Sequence, residues 1–224
     1  NSYCEKHKIK NDELKTVLMS SMNNIPDVDL TTSELNSIQD ACWSKYILDP
    51  LATSTIDNIV DYIMGTGVEI FSPISDINNV IDDFRVRNKM SLRDREIVKH
   101  LFLDGEYFLL LPNNPEGKVF ARKAHPKTIS NIIHVTGDVE AVLGIEQEFE
   151  INDYSGLQSK TEQRFIKSVE YDDVVSSNLY NKDALNVIKS GWKEALYCKH
   201  IKLNDTDKLR GIPPLYGALK YFKM

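Results

Sequence analysis

The histidines, cysteines and clustered acids are the residues whose types could do chemistry. The five histidines are His7, His100, His125, His134 and His200, and the three cysteines are Cys4, Cys42 and Cys198. None has a second His or Cys at ligand spacing and no CxxC occurs, so the pattern of a zinc site is missing. His100 has Asp104 four residues on, where a helical carboxylate orients an imidazole or simply forms a surface pair. Asp82-Asp83 and Asp172-Asp173 are adjacent acids. Neighbours on a helix or strand point apart, whereas carboxylates that share acid–base work converge across a cleft, so solvated faces account for both pairs. Asp104-Gly105-Glu106 stands at a helix-to-strand corner and offers carboxylates to a cation, with fewer oxygens than a calcium loop supplies. No phosphate-binding glycine loop and no GxSxG elbow is present, and Gly65-Thr66-Gly67 reads as a helix stop followed by a strand start. These residues assign no catalytic group, no metal site and no cofactor.

The remaining chemistry is cationic. Lys118, Arg122, Lys123 and Lys127 form the best candidate for a patch that touches phosphates, and a charged edge strand is the equal alternative. A formal charge of −6 argues against a protein that grips nucleic acid with its whole surface.

Hydrophobic spacing names the elements that hold these groups. A short helix is expected near Glu13 to Met22. Ser33 caps a second through Leu48, with Leu35, Ile38, Cys42 and Tyr46 on one face. Ile56, Ile59, Val60, Ile63 and Met64 give the clearest helix, stopped by Gly65. Thr66 to Phe71 reads as a strand. Ser75 opens a helix with Ile77, Val80, Ile81 and Phe84. Ser91 and Asp94 form a variant capping box for a helix that buries Ile97, Val98, Leu101 and Phe102. From Glu106 the pattern turns to strands: Tyr107 to Leu111, Val119 to Ala124, Ile129 to Val135, Val142 to Phe149 and Arg164 to Tyr171. Asn152 to Glu162 is loop-like, and Ala184 to Lys189 suits a short helix. His200 to Asn204 alternates as a half-buried strand. Gly211 is expected to supply a bend at positive φ, and Pro213-Pro214 opens a last helix with Leu215, Leu219 and Phe222 on one stripe. The arrangement is α+β: N-terminal helices, a mostly antiparallel, barrel-like sheet, then an outgoing C-terminal helix.

The 224 residues are 42% hydrophobic and 27% charged, enough for one substantial core or two small ones. No run of about 18 apolar residues exists, so no membrane span is expected. Asn1 to Lys15 is polar and carries acids, unlike a signal peptide. Three widely spaced cysteines suit free thiols in a reducing compartment, with Cys42 a small core residue. The last helix meets no stop signal before Met224 and the chain starts at Asn1, which reads as part of something longer.

Taken in order, these landmarks resemble the portal proteins of tailed bacteriophages, the head–tail connectors. The resemblance begins with the helix from Asp49 into Gly65-Thr-Gly67-Val68. It continues where a helix breaks at Asp104-Gly-Glu106 into a hydrophobic strand, then through Ala124-His-Pro-Lys-Thr-Ile129 and Leu143-Gly-Ile-Glu146. It closes on His200-Ile-Lys-Leu-Asn204 and Arg210-Gly-Ile-Pro-Pro-Leu215, the most specific element. It implies a non-enzymatic ring of about twelve subunits at a capsid vertex, closed by unlike contacting faces. It also implies a channel for double-stranded DNA, and docking of the terminase large subunit, the major capsid protein and head-completion proteins. The expected location is the virion, after assembly in the host cytoplasm. Residues 1–208 would be the peripheral wing, and 209–224 the loop and start of the stem helix. Arg210, Gly211, Pro213 and Pro214 would form the way into the stem and a subunit interface. Two other readings stay open. One is a generic α+β interaction module. The other is part of a metal-dependent nucleic-acid enzyme using Asp104 and Glu106.

Overall fold

A computed structural model describes residues 30–135, 138–152, 159–176, 192–203 and 208–222. The helices expected at Glu13 to Met22 and Ala184 to Lys189 lie outside the described residues. Four helices come first: α1 (Thr32–Leu48), α2 (Pro50–Met64), α3 (Ser75–Arg87) and α4 (Met90–Leu103). A sheet follows, made of β1 (Glu106–Pro112), β2 (Arg122–Ala124), β3 (Ile129–Val135), β4 (Asp138–Asn152), β5 (Ser159–Ser168) and β6 (Trp192–Lys202). A short helix α5 (Tyr171–Ser176) precedes β6, and α6 (Pro214–Ala218) ends in a 3-10 turn at Leu219–Tyr221.

The helix starts differ from expectation in their caps. Thr31, not Ser33, caps α1: its hydroxyl accepts from the Glu34 amide, and the Glu34 carboxylate accepts from the Thr31 amide at 2.9 Å. Asp49 closes α1 and caps α2 by accepting from the Leu51 amide. The expected box at Ser91 and Asp94 does not form. Lys89, at φ 50, starts α4 without a side-chain cap, and Asp94 reaches across to Arg85. Ala52, Ile56, Val60 and Met64 form the inner stripe of α2, while Ile63 points outward.

The strands run in the order β2-β1-β6-β5-β4-β3, antiparallel except for β5 beside β6. β5 starts earlier than the sequence suggests, at Ser159, and gives way to α5 at Tyr171. The returning strand after β1 is only three residues long, preceded by an isolated bridge between Asn113 and Val119. Thr66 to Phe71 belongs to no strand; Thr66 lies in a turn, Gly67 has φ 109, and the residues after it have no sheet partner.

The two edge strands, β2 and β3, are consecutive in sequence and joined through the 3-10 turn Pro126–Thr128. The steps from Ala124 to Ile129 reach at most about 18 Å, whereas a flat six-stranded sheet is about 24 Å across. The sheet must therefore curl. Phe108, Leu110, Ala124, Ile129, Ile132, Ile145, Ile166 and Cys198 fill its inside. It is an open, curled sheet: the barrel-like outline is present, but no ladder joins β2 to β3. A second core lies among α1, α2 and α4, with Ile38, Cys42, Ile56, Val60, Met64 and Leu103. The C-terminal helix starts at Pro214 as expected. Its described turns lie along α1 and α4, with Leu215 buried in the second core. Among the described residues no helix is long and apolar enough to cross a membrane.

Candidate functional site

Strand alternation decides where β1 sends its side chains. Glu106, Phe108 and Leu110 share a face, so the acid that opens the strand is carried to the same side as two core residues. Glu106 has no exposed surface. A buried carboxylate needs charge-assisted partners, and three converge on it. Arg210 donates from Nε to Oε1 at 2.9 Å and to Oε2 at 3.0 Å, and from Nη2 to Oε1 at 2.5 Å. The His200 Nε2–H donates to Oε2 at 3.1 Å, and the Gly211 amide donates to the same oxygen at 3.3 Å. His200 faces Phe108 across the β1–β6 ladder and stacks on its ring at 4.5 Å and 3°. The Arg210 guanidinium lies 5.7 Å from the same ring, and its Nη2 also donates to the Pro126 carbonyl at 3.4 Å. Burial alone would raise the Glu106 carboxyl; the His200 hydrogen bond and the Arg210 charge outweigh it and hold it below the usual carboxylate range.

Two glycines allow the approach. Gly105, at φ +81, turns the chain from α4 into β1, and a Cβ there would stand 2.4 Å from the Ile212 carbonyl carbon. A Cβ on Gly211 would stand 2.1 Å from the Gly105 carbonyl oxygen. The positive φ expected at Gly211 is therefore found at Gly105 instead; Gly211 is required by the closeness of two backbones. Pro213 is buried and Pro214 is the first residue of α6. Of the four residues expected at the way into the last helix, Arg210 and Gly211 thus form a joint with the Asp104-Gly105-Glu106 corner, and the prolines start the helix behind it.

Asp104 is the second buried acid of that corner, 3% exposed. The Trp43 Nε1–H donates to Oδ1 at 2.5 Å, the His100 Nδ1–H donates to Oδ2 at 2.6 Å, and Lys123 Nζ stands 3.7 Å away. Its main-chain oxygen accepts from Gln39 at 2.9 Å. Burial pushes the Asp104 carboxyl up, but the hydrogen bonds from His100 and Trp43, with the charges of His100 and Lys123, bring it below the usual range. Burial pulls the Lys123 ammonium down, against the attraction of Asp104 and Glu96. The two carboxylates offered by the sequence to a cation are thus each held by protein cations. No group of three His, Cys, Asp or Glu able to hold a metal occurs among the described residues.

The proposed phosphate patch is divided. Lys123 belongs to the Asp104 cluster, Lys127 pairs with Asp40 at 2.5 Å, and Lys118 pairs with Glu116 at 3.0 Å. Arg122 points out from β2, 5.4 Å from the Phe120 ring, and donates to the Ala121 carbonyl at 2.9 Å. A half-open cavity of about 160 Å³ beside Arg210 is walled by Leu30, Leu35, Ile132, Leu209 and Ile212, with no His, Cys, Asp or Glu in its lining. Its charged lining residues are Lys208 and Arg210.

Sequence reading flagged Asp104 and Glu106 as one corner and His200 and Arg210 in a later stretch, and missed that His200 and Arg210 meet Glu106. One signal was present: Glu106 shares the alternation of Phe108 and Leu110, so it had to be buried and needed a cation. No protein-family model matches the sequence, and no curated protein matches it.

Proposed function

We propose that this chain is a structural, non-enzymatic subunit of a portal-type ring, contributing to a channel for double-stranded DNA at a capsid vertex. What carries the reading is the joint. Asp104-Gly-Glu106 and Arg210-Gly-Ile-Pro-Pro-Leu215 are two of the landmarks on which the resemblance rests. Arg210 and Glu106 are 104 residues apart, yet they form one buried ion pair. A bidentate Arg–carboxylate pair with two glycine backbones in contact fixes a direction. It ties the chain leaving the sheet to the corner between the helical layer and β1. A component that transmits position from a body to the segment after it needs such a stiff connection; a catalyst needs a cleft with free polar groups. In this reading the wing is the described body. The docking of a terminase large subunit, the major capsid protein and head-completion proteins belongs to the assembled ring.

The test is the mass and shape of the longest natural version of the protein, by light scattering and negative-stain images. A ring of about twelve copies with a central hole is the expected result. A single chain or a two-fold dimer at micromolar concentration would overturn the ring.

A further inference from the structure

The stretch from the last turn of α2 to the end of α3 carries apolar side chains that the described chain leaves uncovered. Among the described residues, nine of the fifteen exposed large hydrophobics fall between Tyr62 and Val86. Tyr62 keeps 89% of its surface, Phe71 86% and Val80 69%. Helix α3 has the spacing of an amphipathic helix, with Ile77, Val80, Ile81 and Phe84 on a stripe, yet it contains no buried residue. Between the helices, Val68, Ile70 and Phe71 stand exposed on a segment without regular structure. Together these nine side chains expose on the order of 1,000 Å². That sum is comparable to the roughly 800 Å² one partner gives to a standard interface.

Charge indicates what covers this arm. On this arm Glu69, Asp76 and Asp82 make no ion pair among the described residues, while Asp57, Asp61 and Asp83 are held by Lys99, Arg95 and Arg87. Between residues 118 and 127, Lys118, Lys123 and Lys127 are engaged by Glu116, Asp104 and Asp40, and Arg122, pointing out from β2, makes no ion pair among the described residues. An acidic arm repels nucleic acid and anionic lipid, whereas one stretch of the same chain has the complementary sign. Two unlike patches on one subunit suit a head-to-tail contact, the kind that closes into a ring. We infer that a second copy of this chain covers the 62–86 arm, with the arm's acids set against residues 118–127 of the neighbour. This rests on the ring reading and names the surface that builds it.

The test compares the full-length chain with an Ile70→Asp/Phe71→Asp variant and with Arg122→Glu, by light scattering at matched concentration and by circular dichroism. Both altered arm residues are more than half exposed, so the variant keeps the wild-type spectrum and cooperative melt. It is expected to fall from assembled to single-chain mass, with self-association weakened at least tenfold. Arg122→Glu is expected to weaken assembly less, and more so at low salt. Normal assembly of a folded Ile70→Asp/Phe71→Asp variant would overturn the surface while leaving the ring. A two-fold dimer dissolved by that variant would keep the surface and overturn the ring. A wild type that stays a single chain would overturn both and give the arm to a different protein.

Discussion

At the joint, an acid with no exposed surface is held by an arginine, a histidine and a backbone amide. On the arm, Phe71 keeps 86% of its surface in water. The first region is polar and buried; the second is apolar and bare. Each reverses the usual rule, and the reversals differ in kind. A buried ion pair is stable only while every partner is present, so the joint is satisfied within one chain. Exposed apolar area of interface size calls for a surface from outside it. The contrast separates what makes the body rigid from what makes it associate.

Replacing Glu106 with Ala gives the largest expected effect. Arg210 and His200 would be left at a buried site without their acceptor, and loss of one partner of a buried pair costs about 3–5 kcal/mol. Denaturant unfolding at pH 7 measures it. A loss below about 1 kcal/mol would mean that the joint is hydrated and loose. Gly211→Ala comes next, at about 1–3 kcal/mol, because its Cβ meets the Gly105 carbonyl at 2.1 Å and two backbones must separate. A thermal melt of that variant within a degree of wild type would remove the close crossing from the explanation.

Acid sharpens the comparison further. Glu106 and Asp104 are both held below the ordinary carboxylate range. Just below the unfolded pKa values of about 4, the unfolded chain binds more protons than the folded one. The stability they add is therefore complete above about pH 5 and is lost as pH falls through their folded values. Melting temperature followed from pH 6 to pH 3 is expected to drop steeply in the wild type and less steeply in Glu106→Gln. Parallel curves would mean that Glu106 adds nothing to the acid limb. The smallest effect belongs to the arm. Val80→Ser on α3 is expected to change single-chain stability by no more than about 0.5 kcal/mol. A larger loss would show that the apolar stripe is covered within the chain.

Periodicity made the helical layer and most strands legible, because 3.6- and 2-residue repeats are local properties. Three things escaped it. The capping residue of α1 sits two positions before the serine chosen from sequence: Thr31 has Glu34 three residues on whereas Ser33 has Asn36, so the box pointed to Thr31 and periodicity did not. The apolar stripe of α3 looked like any buried face: spacing tells that a surface will be covered, not by which chain. The joint was invisible as a unit, because Glu106 and Arg210 are 104 residues apart and nothing local pairs them. Gly211 was assigned a reason in its own dihedral angle when the reason lies in the Gly105 backbone. The curled sheet is an intermediate case. Most of its strands could be read, but the last was read only from His200 when it starts at Trp192, and its place between β1 and β5 was not legible.

That placement has a consequence for synthesis. Of the described strands β6 is the last to leave the ribosome, and it lies inside the sheet, pairing with β1 on one side and β5 on the other. Until it arrives, the nascent chain can form the β1–β2 hairpin and the β3–β4–β5 meander only as two separate pieces, each presenting a bare inner edge. Such edges are templates for pairing with other chains. The polypeptide is most exposed to misassembly during the interval between completion of β5 and delivery of residues 192–202. Because Arg210 follows β6 in the chain, Glu106 acquires its buried ion pair only after that strand has been made.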